Sequence, residues 1–168
     1  PERRAKAGVP PEIMFATKSQ IALQLIEQAL ADQVAPAPVL GDAAYGDSFA
    51  FRQRLRELNL EFFLQVTPEE HLGWTQEVPT VLKGKYRKLV DEKLAASARH
   101  LLDIARSLPD AVWKDCSWTT GGGKRHHTRI AWQEVFLARG LKEPDGRLEK
   151  VWLVLDWPRG APKPYHSY

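Results

Sequence analysis

Apolar residues at Ile21, Leu25, Ile26, Ala29 and Leu30 recur at three- and four-residue spacing and predict a helix over residues 18–33. Thr17 stands at its start with Gln20 three positions on, the two halves of a capping box. Pro36 and Pro38 cannot continue a helix, so the pattern switches there. Residues 39–41 read as a short buried strand that stops at Asp42. Asp47 or Ser48 caps a second helix, in which Phe51, Leu55 and Leu58 form the inner stripe while Arg52, Arg54, Arg56 and Glu57 look outward. Residues 60–66 are again strand-like. Strand, helix and strand in so short a span form a βαβ unit, with the two strands parallel.

Beyond Thr67 and Pro68 the pattern changes. Residues 68–95 are polar and broken by Pro79 and Gly84. Ala98, Leu101, Leu102, Ala105 and Leu108 predict one helix near 96–108, ended by Pro109. Residues 112–120 and 124–139 flank Gly121-Gly-Gly123 as a hairpin would, Asp145-Gly146 marks a further turn, and residues 150–157 form an apolar strand. The fold class is therefore α/β. An α/β layer over 1–67 is followed by a β-rich, mainly antiparallel subdomain over 68–168.

Composition narrows this picture. A hydrophobic share of 43% suits one soluble domain or a core with one subdomain attached, and no apolar run approaches the ~20 residues that span a bilayer. The lone Cys116 excludes an internal disulfide and fits a reducing compartment. The net charge of +3 is modest, but two basic clusters stand out: Lys83, Lys85, Arg87 and Lys88, and Lys124, Arg125 and Arg129 with His126 and His127 among them. Local patches of this kind permit a nucleic-acid partner. The chain begins at Pro1 and stops at Tyr168 just after an apolar run, so it is expected to be a piece of something longer. An α/β layer short of strands exposes an edge, which invites homo-oligomers.

Asp42 is the residue hardest to explain by packing. A carboxylate at the end of an apolar strand is where α/β layers carry chemistry, whereas the simpler reading has it cap the next helix or pair with an arginine. Tyr45 and Gly46 form the turn that frees its carboxylate, and Asp47 is most simply a cap. His126 and His127 are adjacent on a strand and point to opposite faces, which argues against a shared zinc ion with Cys116 or His100. Gly121-Gly-Gly-Lys124 lacks the spacing of a phosphate-binding loop and is a turn. Trp113, Trp118, Trp132 and Trp152 are expected to pack between strands, leaving Trp74 as the exposed tryptophan.

Lys6-Ala-Gly-Val-Pro-Pro-Glu-Ile-Met-Phe-Ala-Thr-Lys18, the helix after it, and Val39-Leu-Gly-Asp-Ala-Ala-Tyr-Gly-Asp47 together resemble the middle of a DDE transposase of the insertion-sequence type. The resemblance runs over about residues 3–67 and more weakly to Pro158. It implies a ribonuclease-H-like layer in which Asp42 matches the second of three catalytic, metal-binding carboxylates. Two Mg²⁺ (or Mn²⁺) ions about 3.5–4 Å apart would bracket the scissile phosphate. The first Asp and the Glu have no match: Asp32 is at a helix end, and Glu134 sits in a strand-like run. The segment is accordingly expected to be inactive alone. The resemblance further implies DNA (transposon ends and target) as partner, the β-rich stretch as an insertion whose basic clusters contact DNA, and a cytoplasmic, nucleoid-associated bacterial setting. The alternative is a non-catalytic DNA- or protein-binding module derived from a transposase.

Overall fold

The computed structural model describes residues 6–8, 10, 14–76, 96–138, 148 and 150–168. The chain divides into two compact units, Pro1–Pro36 and Ala37–Tyr168. In the first, helix α1 (Lys18–Ala31) starts at the predicted capping box: Gln20 N–H donates to Thr17 Oγ1, and Thr17 N–H donates to Gln20 Oε1 at 2.8 Å. It ends two residues before the prediction, because Gln33 turns left-handed (φ 61°) and Val34 N–H closes back on the Ala29 carbonyl. No residue of α1 is buried, so Ile21 and Leu25 present an open apolar stripe.

The second unit begins with strand β1 (Val39–Gly41), helices α2 (Ala43–Gly46) and α3 (Phe49–Glu57), and strand β2 (Phe62–Leu64). β1 and β2 pair in parallel, with Leu40 opposite Phe63, as the βαβ reading requires. β1 is not buried on both faces, however: Leu40 is 74% exposed. Among the described residues it pairs with β2 alone. Ser48, not Asp47, caps α3 by accepting from Phe51 N–H. Asn59 ends α3 in the left-handed conformation that asparagine tolerates. Phe51 and Leu55 face inward as predicted, but Arg52 does too.

The rest of the unit is a sheet with the order β4-β3-β6-β7-β8, and β5 lies beside β6. Its strands are β3 (Leu72–Trp74), β4 (Arg99–His100), β5 (Lys114–Thr119), β6 (Arg125–Leu137), β7 (Lys150–Asp156) and β8 (His166–Ser167), with all pairs antiparallel. Gly123 turns the β5–β6 hairpin at φ +80°. The inner face of β6 and β7 (Val135, Leu137, Leu153 and Leu155) packs with Leu101, Ile104 and Ala105 of helix α4 (Leu101–Arg106) to form the core. α4 is shorter than the 96–108 helix expected, because Arg99 and His100 are taken into the sheet opposite Gly73 and Leu72.

The tryptophan expectation is reversed. Trp74 is buried in β3 and donates to Ser97 Oγ, whereas Trp118, Trp132 and Trp152 are exposed. Strand alternation explains this: Trp132 and Trp152 sit at positions that point away from the Val135 and Leu153 face. Trp113 does pack, edge-on against Trp157 at 5.9 Å.

β8 ties the parallel pair into this sheet. Val66 N–H, just beyond β2, donates to the Ser167 carbonyl at 2.7 Å. Phe63 stacks on Tyr168 at 4.5 Å, and Gln65 Nε2 reaches His166 Nδ1 at 3.0 Å. β8 therefore lies between β2 and β7.

Candidate active site

Asp42 follows β1 directly and is the N-cap of α2: its Oδ1 accepts from Ala44 N–H at 3.0 Å. The side chain is exposed. The capping reading and the strand-end reading thus describe one geometry, since one carboxylate oxygen holds the helix start while the residue opens to solvent. Asp42 can offer a hard oxygen ligand to a divalent ion. Among the described residues no group of three or more His, Cys, Asp or Glu could hold a metal ion, so here it is one ligand without companions.

What holds Asp42 in position is the turn behind it. Gly46 is buried against β2, and a Cβ built on it would lie 1.8 Å from the Gln65 carbonyl oxygen. Glycine is needed there for close approach of two backbones, since φ at this position is not in the left-handed region. Asp47 comes next, and its carboxylate, expected to cap α3, instead reaches across to the chain beyond β2. Its carboxylate accepts from Thr67 N–H at 2.9 Å, from Thr67 Oγ1 at 2.7 Å and from His71 Nε2 at 2.8 Å. Arg52, almost fully buried, donates from its guanidinium to the Gly46 carbonyl. The four residues Gly46, Asp47, Arg52 and Thr67 clasp the α2–α3 turn to the end of β2, and His71 extends the clasp toward β3.

The charges in the clasp are mutually tuned. Partial burial pushes the Asp47 carboxyl up, but the Thr67 amide, the Thr67 hydroxyl and His71 together hold it below the usual aspartate value. Burial lowers the Arg52 guanidinium, and the Asp47 charge opposes that. Because Asp47 has its pKa depressed by folding, its contribution is present above the unfolded value of about 3.9 and is lost as pH falls through the folded one. Asp47→Asn is expected to cost about 1–2 kcal/mol at neutral pH. The gap from the parent should close in urea titrations repeated below about pH 4. A gap that stays constant on acidification would mean that shape, not charge, makes the clasp.

The basic residues fall into different settings. Lys124 and Arg125 are exposed at the tip of the β5–β6 hairpin. Arg129 is occupied: its guanidinium lies 5.0 Å from the Trp113 ring centroid, and Nη1 is 3.4 Å from Asp110. His126 stacks on Trp118, and His127 pairs with Ser117 on the opposite face. Lys83, Lys85, Arg87 and Lys88 lie outside the described residues. The clasp roles of Arg52, Thr67 and His71 were missed in the sequence. The usable signal was the arginine five positions after Asp47, where the helical stripe already turns inward at Phe51.

A strand-end aspartate, a two-helix crossover and a parallel partner strand make up one βαβ unit. The family of DDE superfamily endonucleases matches residues 1–125, which include Asp42 and the whole clasp. The chain belongs to that family, and is a transposase-related fragment of the DDE type. DNA is the substrate of such enzymes, and they generally use divalent metal ions. No curated protein and no solved structure matches the chain. None of the described helices is long and apolar enough to cross a membrane.

Proposed function

We propose that this chain is the central segment of a DDE transposase whose intact catalytic domain cuts and joins DNA strands at transposon ends with Mg²⁺ or Mn²⁺. The observation that carries the reading is Asp42: an exposed carboxylate at the C-terminal end of β1, fixed by Ala44 N–H in a chain of this family. Divalent ions, when bound, would polarise the scissile phosphate and activate the attacking hydroxyl. Asp42 would supply one ligand, with its carboxylate held by the Ala44 N–H. The other two carboxylates would come from segments outside this chain, so the chain alone does not cleave.

The test is a strand-cleavage assay with a transposon-end duplex in Mg²⁺, run on this chain and on the chain joined to the missing strand and helix. Cleavage by the joined protein alone is expected. Cleavage by neither, with the joined protein folded, would favour a non-catalytic DNA-binding module.

In this reading Lys124 and Arg125 contact the DNA backbone from the hairpin tip. Replacing both by alanine should weaken binding at low salt and reduce the slope of log affinity against log salt by about two units, measured by fluorescence anisotropy. An unchanged slope would remove the hairpin tip from the interface. Arg129 is left out of that variant, because its loss would also free Asp110 and uncover Trp113.

A further inference from the structure

Between β2 and β7 there is a cavity of about 760 Å³ with apolar walls from Leu64, Leu101 and Leu153, among others. Its shape follows from β8. Where β8 runs, it holds β2 and β7 two strand spacings apart, about 9.5 Å. Tyr168 exchanges two backbone hydrogen bonds with Val154, each 2.8 Å. Past Tyr168 the gap continues beside the first half of β7, lined by Leu60 and Phe62 as well as Val151 and Trp152.

The backbone on both walls is directed into this gap. Even-numbered residues of β7 bond toward β8, as Val154 does, so the Trp152 N–H and carbonyl point the same way. In β2, Val39 N–H takes the Glu61 carbonyl and Gln65 N–H takes the Gly41 carbonyl, which turns the odd-numbered residues toward β1. Phe62 and Leu64 therefore direct their backbone groups into the gap. Among the described residues, no backbone partner meets Trp152 or Phe62 on that side. Apolar walls flanking unpaired amides are poorly served by a lipid or an aromatic ligand, neither of which supplies alternating donors and acceptors. A peptide backbone does.

We propose that this slot is a strand-acceptor site: it takes an extended peptide lying in line with β8 and antiparallel to β7. The register is fixed by Tyr168 opposite Val154. The first residue past Tyr168 lies opposite Leu153 on the core face, the second opposite Trp152 on the outer face, and the third opposite Val151 on the core face. The occupant is thus apolar at its first and third positions and carries a free N–H at its second. This inference does not rest on the catalytic reading.

The experiment appends Val-Thr-Val-Thr to Tyr168 and follows the Trp152 amide by hydrogen exchange. Exchange on the order of tenfold slower than in the parent chain is expected, with the Leu155 amide unchanged. Val-Pro-Val-Thr keeps the carbonyl that would accept from Trp152 N–H, but its ring stands against the Trp152 carbonyl where the second N–H would donate and bars the strand from the slot, so it should leave Trp152 at the parent rate. The acetylated and amidated Val-Thr-Val-Thr peptide, added at millimolar concentration to the unmodified chain, should slow the same amide, so the result does not depend on the extended chain folding. Equal protection by the proline version would overturn the proposal, because a ladder would not be its cause. So would an unprotected Trp152 with both the appended and the added peptide, or a self-associated chain whose Trp152 is already protected.

Discussion

Asp42→Asn is expected to abolish strand cleavage by the assembled catalytic domain and to leave the stability of this chain unchanged. The amide keeps an oxygen where Oδ1 accepts from Ala44 N–H, and asparagine caps helices as well as aspartate. What it loses is the negative charge that a hard divalent ion requires. If Asp42 is an ion ligand, the loss should reach about a thousandfold, or about 4 kcal/mol of transition-state stabilisation. Asp42→Ala makes the contrast: it loses the cap as well and should cost about 1 kcal/mol of stability. Cleavage rates and thermal melts on the same preparations separate the two roles. An asparagine variant that melts well below the parent, yet still cuts, would make Asp42 a cap and nothing more.

Gly46→Ala is expected to be the most damaging glycine-to-alanine change among the described residues. The added carbon would stand 1.8 Å from the Gln65 carbonyl oxygen, 2.8 Å from its carbon and 3.2 Å from Leu64 Cβ. Two of these obstacles are backbone, so no side-chain rotation relieves them. α2 would have to lift from β2, pulling the Gly46 carbonyl from Arg52 and disturbing Asp47 at Thr67. Overpacking of this kind costs about 3 kcal/mol when the neighbours cannot yield. For a chain of this size that corresponds to a melting temperature lower by about 6–12 °C. A variant melting within a degree or two of the parent would show that α2 moves freely on β2. The clasp would then not be what positions Asp42.

Much of this was legible in the sequence, for identifiable reasons. The capping box at Thr17 and Gln20, the parallel pair around residues 39 and 63, and the glycine-turned hairpin follow from local rules that tertiary context leaves intact. Gly46 reads from the sequence as part of the turn after Asp42, but its need for glycine lies in packing against Gln65, which only the fold brings near. Arg52 defeated the stripe argument. Its helix position looked outward until the Gly46 carbonyl and Asp47 made a buried guanidinium affordable. The tryptophans failed for a related reason: aromatic content predicts burial on average, while strand register decides which face a given ring takes. The clasp itself joins residues 20 and 24 positions apart, across α3 and β2, so no spacing rule could announce it.

The contact between Gln65 and His166 spans 101 positions of sequence, and it carries a kinetic consequence. Closing so large a loop is slow, and it brings reward only once β6 and β7 have already paired. The clasp, built from residues 46 to 71, can assemble while the later chain is still unstructured. During synthesis β2 therefore waits with one edge bare until the residues of β8 have left the ribosome. In that interval the nascent chain is most exposed to pairing with the wrong strand.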